Sequence, residues 1–535
     1  MTEAARYDAI IVGGGHNGLV CAFYLARAGH KVCVLERRGI VGGAVVTEEF
    51  HPGFRNSVAS YAVSLLSPKV IAEMDLARHG LDIRIRPMAY FLPLSDDNYF
   101  LMSRDEQENL AEIARFSEKD AAAWPEYERR LSHLVHLLRE TLHKTPPNAG
   151  GGVRDFLGGL GLGNTLRKLG IEGQRDLLDL FGKSAGELLD SWFECEPLKG
   201  ILAFDALTGN YASPYTPGSA YVLLHHVFGE VNGVEGAWGH AIGGMGSITQ
   251  AMAAACREHG VEIRTDNPVA EVTVEDGRAT GVTLENGESI AARAVAASIN
   301  PKLLYGQLIP EDLLPPAFAR RMRDWKCASG TFRMNVALSE APNFTCLPSV
   351  GPARQHTASI LIAPSLAYLD RAYDDARQFG WARAPAIEMQ LPSMIDDSLA
   401  PPGQHVASLF CQHFAPVLPD GSSWDDHREA VADLIIDTIT RYAPNFRDAV
   451  LGRMILSPLD LERKLALVGG DIFHGRLSLD QLFSARPMLG YADYRGPLDG
   501  LYMCGSATHP GGGIMGANGR IAALEVLRAR GRRAA

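Results

Sequence analysis

The sequence predicts an α/β protein, and three observations predict it. Residues 7–36 run as apolar strand, glycine turn, helix and second apolar strand, which is the order of a parallel βαβ unit. Residues 261–298 break into short β-branched runs at Asp276-Gly277 and Asn286-Gly287, the dipeptides of tight hairpins. Residues 501–530 repeat the strand, glycine loop and helix start close to the far end of the chain.

Taken in order, YDAIIV at 7–12 is a continuous apolar run, as a buried strand of a parallel sheet requires. The helix expected over 17–29 has Leu19, Val20, Phe23, Tyr24 and Ala26 to bury and Gly29 to end it. KVCVL at 31–35 is the second strand, followed by Glu36. Residues 105–230 read as mostly helical, with 145–164 (TPPNAGGGVRDFLGGLGLGN) as a turn-rich, mobile surface segment. A helix is expected over 246–260, and then VEIRTD, VAEVTVED, ATGVTLEN and ESIAARAVAAS read together as one small antiparallel meander. Residues 330–340 and 404–412 alternate like strands, 425–443 reads as an amphipathic helix, and GLYMC at 500–504 is a short buried strand. The last helix is expected over 514–530, with a frayed, arginine-rich tail from Arg528 to Arg533.

Composition removes several classes. A chain of 535 residues is long enough for two to four domains, and 46% hydrophobic with 21% charged residues is ordinary for a folded protein. A net charge of −11 argues against a nucleic-acid surface. No run reaches the roughly 18–20 apolar residues of a membrane span, and the first residues lack the apolar core of a secretion signal. None of the eight cysteines forms a CxxC pair, which excludes a local dithiol centre and suits a reducing compartment. A cytoplasmic location is therefore expected. No metal site is expected: His225-His226 has no third ligand nearby.

The decisive motif is Gly13-x-Gly15-x-x-Gly18. It follows a strand, opens a helix and has an acidic residue, Glu36, 21 positions after Gly15. Gly13 permits the turn, Gly15 lets backbone N–H groups approach a pyrophosphate, and Gly18 lets the helix pack close to the sheet. Gly14, His16 and Asn17 share that turn. Glu36 suits a ribose diol and would repel a 2′-phosphate. Gly42-Gly43, six residues after Glu36, adds a second close backbone approach. At the other end Gly505 and the stretch Gly512-Gly513-Ile514-Met515-Gly516 precede a helix, whose N-terminus is a second anion site. Two such sites suit a cofactor with a pyrophosphate and a distant redox ring, which points to FAD.

These segments carry a resemblance. Residues 7–46, 236–305 and 498–530 resemble the three FAD-domain segments of the phytoene desaturase and amine oxidase superfamily. Gly243-Gly244-Met245-Gly246 with Val269 resembles its middle segment, which implies a main-chain contact of Val269 on the adenine side. A closer resemblance is to a subgroup named for a pyridine nucleotide-disulfide oxidoreductase domain. It rests on Gly43-Ala44, Val46-Thr47-Glu48-Glu49, Ser60-Tyr61, Phe204-Asp205-Ala206-Leu207-Thr208-Gly209, Gly470 to Gly475 and Arg486-Pro487. Two departures stand out. Position 44 is Ala where carotenoid desaturases carry Arg, so Arg37 or Arg38 is expected to take that role. The disulfide part of the subgroup's name has no CxxC to support it.

The resemblance implies a Rossmann-like FAD-binding domain of the glutathione-reductase-2 type with a mixed α+β substrate domain and a helical cap. The FAD domain is expected from 1–75, 231–305 and 481–535, the cap from 76–230 and the substrate domain from 306–480. A flavin carries hydride chemistry itself, so no strong acid–base constellation is required. His509, beside the terminal glycines, is a candidate proton relay. His474 is a candidate to face substrate, and Arg486 to hold a phosphate or carboxylate. Tyr61 reads as core more readily than as pocket wall, and Ser60 lacks a nucleophile-elbow context. The expected function is an FAD-dependent oxidoreductase acting on C–C or C–N bonds of a small, lipophilic substrate. The competing readings are a flavin amine oxidase, a flavin-holding regulatory protein and a dehydrogenase that uses NAD alone. The apolar residues of 153–170, beside Arg154, Arg167 and Lys168, raise peripheral membrane contact as a further expectation, with a lid or loop as the favoured reading.

Overall fold

The computed structural model describes residues 7–148 and 150–533. Its centre is a five-stranded parallel sheet in the order Glu262–Arg264, Val32–Leu35, Ala9–Val12, Val295–Ala297, Leu501–Met503. Side-chain alternation decides what covers each face. Ala9, Ile11, Val32 and Val34 pack under the helices His16–Arg27, Gly246–Glu258 and Ala517–Arg533. Ile10, Val12, Cys33 and Leu35 pack under a three-stranded meander, Val269–Glu275, Arg278–Leu284 and Ser289–Ala291. Both faces are covered, which is why these strands read as unbroken apolar runs.

The meander is smaller than expected. Its three strands turn at Asp276-Gly277 and Asn286-Gly287 as read, with Asp276, Gly277 and Gly287 all at positive φ. The first of the four segments belongs instead to the parallel sheet, as Glu262–Arg264, and the last is split: Ser289–Ala291 closes the meander while Val295–Ala297 joins the parallel sheet. Their β-branched residues fit either role, so local pattern did not separate them.

A second, seven-stranded sheet has the order Val450–Leu456, Phe332–Leu338, His405–Phe414, Trp381–Gln390, Ser359–Ile362, Tyr90–Pro93, Tyr99–Met102. Its pairs are antiparallel except Ser359–Ile362 with Tyr90–Pro93. Two of these strands come from the 76–230 stretch and join the sheet of 306–480. Helix Trp424–Thr440 packs on one face through Val431, Ile435 and Ile439. Helices Ala185–Trp192 and Glu196–Leu207 pack on the other.

One segment departs from its sequence reading. Residues 153–168, expected as loop, form helix Val153–Lys168. Each glycine costs a helix about 1 kcal/mol relative to alanine. Here tertiary ties override that cost. Arg154 donates two bonds to the buried carboxylate of Glu525, at 3.0 and 2.6 Å, and Thr145 adds a third at 2.6 Å. The outward face of this helix and its successor, Gly170–Gly182, carries Val153, Phe156, Leu157, Leu160, Ile171 and Leu178, all more than half exposed. The expected frayed tail is likewise helical: Ala517–Arg533 continues through it, with Arg528 bonded to Glu525 at 2.6 Å. No helix among the described residues is long and apolar enough to cross a membrane.

Candidate functional site

In an open parallel α/β sheet the ligand crevice lies beyond the carboxyl ends of the strands, where neighbouring connections diverge. A large cavity opens there. Its volume is about 580 Å³, and Gly13, Glu36, Ser298 and Ser506, which follow four parallel strands, all line it.

The first turn is built by glycine sterics. Gly13 has φ +95, a left-handed conformation. A Cβ at Gly18 would lie 2.2 Å from the carbonyl oxygen of Gly13, so only glycine lets the helix sit this close. Gly15 differs: a Cβ there would meet only Ser298 Oγ, at 3.9 Å. Packing therefore leaves Gly15 free, and its open side is the cavity. Gly43, at φ +59, approaches it from across the groove; a Cβ on Gly43 would lie 3.4 Å from Gly15 Cα. This paired-glycine cradle has the shape a pyrophosphate needs, with the N-terminus of helix His16–Arg27 at its edge.

Glu36 is buried at the end of the second strand. Its two oxygens accept from the backbone N–H of Gly14 at 2.8 Å and of Arg38 at 2.9 Å. Arg37 and Arg38 both reach the cavity wall. Arg37 donates to the carbonyls of Arg463 and Lys464, and Arg38 pairs with Glu48 while its other terminal nitrogen, Nη1, has no partner. Val269 lines the cavity beside Asn267 and Pro268. Asn17 links the two ends of the chain, donating to Ser506 Oγ at 3.2 Å, and its Oδ1 is buried without a partner.

The walls also include Gly42, His16, His474, Gly513 and Ile514. His16 Nε2 and His474 Nδ1 are buried without hydrogen-bond partners. Burial pushes His16 down to about 3, with His474 adding to the shift. Burial and the nearby Arg486 cation push His474 down to about 4. Both imidazoles are therefore neutral at pH 7. Buried polar atoms left open toward a cavity are what a bound polar ligand satisfies. With the glycine cradle, they show that the residues present fit a dinucleotide.

Several expected site residues lie outside the wall and shape it from behind. Gly14 donates its N–H to Glu36. Gly505 abuts Ser298, Gly512 abuts Phe473, and Gly516 stands at φ +71 just before helix Ala517–Arg533. Met515 is buried and accepts from the N–H of Ser67. His509, read as a proton relay, is not on the cavity wall: its Nε2 lies 2.9 Å from the carbonyl oxygen of Thr141, and Phe483 packs against its ring. Arg486 is also behind the wall. It is fully buried and donates to the carbonyls of Phe473, Gly475, Gln481 and Ser506, fastening the 473–481 loop to the loop after the last strand. A guanidinium whose donors all meet backbone has none left for a phosphate. The side chains of His225 and His226 lie outside the described residues.

Sequence reasoning missed Ser298, Thr208, Trp238 and Phe410 and read Tyr61 as core more readily than as pocket wall; all five are on the wall. Ser298 had a signal, since it ends a buried strand. Tyr61 and Thr208 sit in motifs singled out by resemblance. Nothing local marks Trp238 or Phe410.

Comparison with known proteins agrees with this geometry. Residues 18–331 match the family model described as flavin containing amine oxidoreductase. The chain is 42% identical to pyridine nucleotide-disulfide oxidoreductase domain-containing protein 2 of Rattus norvegicus, over 98% of this chain and 94% of that one. It is 26% identical to a component of the limonene dehydrogenase of Castellaniella defragrans, over 98% and 95%. A solved structure of a putrescine oxidase triple mutant shares the fold, with a TM-score of 0.60 and 15% identity over 98% of this chain and 99% of that chain.

Proposed function

The chain belongs to the flavin containing amine oxidoreductase family and is an FAD-dependent oxidoreductase, and from that premise we propose that its substrate is a neutral, lipophilic molecule oxidised or reduced at a C–C bond. The observation that carries this reading is the make-up of the cavity lining, which has few carboxylates and many apolar and hydroxyl groups. Its carboxylates are Glu36, which already accepts from Gly14 and Arg38, Glu462, which accepts from Gly469, and Glu285. The lining also holds Leu65, Trp238, Phe410, Ile472 and Phe473, with Phe410 stacked on Tyr61 and the hydroxyls of Ser60, Tyr61, Ser64 and Thr208 among its uncharged polar groups. A cationic amine buried among those groups would have no carboxylate among them to pair with.

FAD, when bound, supplies hydride acceptance or donation. The chain supplies the rest. Gly13, Gly15 and Gly43 give the backbone approach for the pyrophosphate, Glu36 the ribose acceptor, and Val269 the adenine side. Gly513 and Ile514 are the ring-side contacts. His16 and His474 stay uncharged and offer single open nitrogens, while Phe410, Ile472 and Phe473 exclude water. The aromatic set Tyr61, Trp238, Phe410 and Phe473 favours a second reading, amine oxidation.

The exposed apolar face on 153–178, with Arg167 and Lys168 at its rim, supports peripheral attachment to a bilayer from which such a substrate would come. The test of function is anaerobic bleaching of the oxidised flavin bands by a panel holding limonene, a carotene, a primary aliphatic amine and NAD(P)H. Bleaching by a hydrocarbon is the expected result. Bleaching by the amine alone would replace it with the second reading.

A further inference from the structure

Behind the lipophilic wall lies a buried polar cluster with one member facing the cavity. Tyr61 is that member. Its hydroxyl donates to Glu388 Oε2 at 2.5 Å. The other oxygen of Glu388 accepts from Ser359 Oγ at 2.8 Å and Gln390 Nε2 at 2.6 Å. Arg86, also buried, donates to Gln390 Oε1. The guanidinium of Arg333 lies 4.6 Å from the centre of the Tyr61 ring and is held by Leu409 O and Ser408 Oγ. Phe410 stacks on the same ring at 5.5 Å.

Burying two arginines and a carboxylate costs several kcal/mol per ion before pairing offsets it. Core packing alone does not call for such a cluster. Its only opening to the cavity among these groups is one phenol, already aligned on a carboxylate that receives three hydrogen bonds. Burial and the charge of Glu388 push the Tyr61 hydroxyl well above the usual phenol range, so it does not ionise alone. A group of that kind passes protons through rather than storing charge.

We propose that Tyr61 exchanges a proton with carbon in the chamber and that Glu388 is the base behind it. Tyr61 is the catalytic residue and Glu388 a positioning and proton-accepting residue acting through it. In the forward sense a substrate C–H bond breaks and its proton forms a new O–H bond on Tyr61. The original Tyr61 O–H breaks at the same time, and its proton forms an O–H on Glu388. The C–H electron pair stays on the substrate, so the step moves one proton and no net electrons. Reversal returns a proton to carbon. This rests on the reading above that the Tyr61 end of the cavity holds substrate.

The test needs no electron transfer, so its failure is separable from failure of the oxidoreductase chemistry. The FAD-loaded protein is incubated with β-ionone, an apolar ketone with acidic C–H bonds, in deuterated buffer, and deuterium uptake is followed by mass spectrometry. The holoenzyme is expected to exchange well above buffer. Tyr61→Phe and Glu388→Gln should each slow exchange by about 100-fold or more, with unchanged flavin spectrum and unchanged β-ionone affinity. Glu388→Asp should restore part of the rate. Exchange at the buffer rate in the holoenzyme, or Tyr61→Phe exchanging like the parent, overturns the relay. If Tyr61→Phe fails to fold, the Glu388→Gln and Glu388→Asp pair decides alone. A protein bleached by a hydrocarbon yet inert in exchange keeps the oxidoreductase reading and loses this one.

Discussion

The amide N–H of Gly14 donates to Oε2 of Glu36 at 2.8 Å, so the residue that ends the second strand is fastened to the turn that follows the first. With its second bond, from the Arg38 N–H, Glu36 ties the glycine turn to the start of the loop that follows the second strand. Removing it should therefore cost more than one ligand contact. Glu36→Ala is expected to weaken FAD binding by about 10- to 100-fold, one to two factors of 1.4 kcal/mol, in a titration of flavin fluorescence. Glu36→Gln, which keeps an acceptor for one N–H, should lose less.

Two glycines of the same turn should fail in opposite ways. Gly18→Ala puts a methyl 2.2 Å from a carbonyl oxygen and should destabilise the apoprotein by about 2 kcal/mol or more in urea unfolding. Gly15→Ala meets nothing closer than 3.9 Å and should leave apoprotein stability within about 0.5 kcal/mol. It should nonetheless lower FAD affinity at least about tenfold, because the methyl occupies the cradle.

Asp205 gives a pH signature. It is buried, accepts from Tyr90 at 2.6 Å and faces Glu388, Tyr61 and Tyr127; burial pushes its carboxyl up to about 7. A raised carboxyl makes the folded state hold more protons than the unfolded one. Stability from this group is thus unaffected below pH ~4, falls as pH rises toward 7, and stays reduced above it. Asp205→Asn, which still accepts from Tyr90, should remove the fall. The stability difference between variant and parent should grow by up to about 4 kcal/mol between pH 4 and 8, read by urea unfolding across that range.

Phe156→Asp with Leu160→Asp places two charges on the exposed face of helix Val153–Lys168, where neither side chain is buried. The double variant should keep the parent's flavin spectrum and Tm. It should lose most sedimentation with vesicles of mixed zwitterionic and anionic lipid. Equal sedimentation of parent and variant would remove the membrane contact.

What was legible in the sequence follows from what is local. The Gly13 turn, Glu36 and the hairpin turns are fixed by backbone geometry within a few residues, and the structure keeps them where pattern placed them. His509 and Arg486 were misplaced because a polar residue beside the terminal glycines, or in a loop before a proline, looks the same whether it faces a cavity or a carbonyl. Only the partners Thr141 and Ser506, from distant segments, separate the two cases. Helix Val153–Lys168 was hidden for a related reason. Its glycines report a weak intrinsic propensity, while Glu525, far along the chain, supplies the tie that holds it. Tyr61 was read as core because a tyrosine in a buried segment is more often packed than exposed to a pocket. Its role depends on Glu388, which nothing near position 61 announces.

The order of strands in the parallel sheet sets a schedule for synthesis. Val295–Ala297 lies beside Ala9–Val12 on one side and Leu501–Met503 on the other. A growing chain makes the glycine cradle first and the loop carrying Ser506, Gly513 and Ile514 last. Until residue 514 has been made, the side of Val295–Ala297 that pairs with Leu501–Met503 is open and the cavity lacks the wall that Ser506, Gly513 and Ile514 give it. Closure of the cavity around FAD therefore waits on the segment 501–514, and until Leu501–Met503 docks, Val295–Ala297 is a parallel strand with one side unpaired.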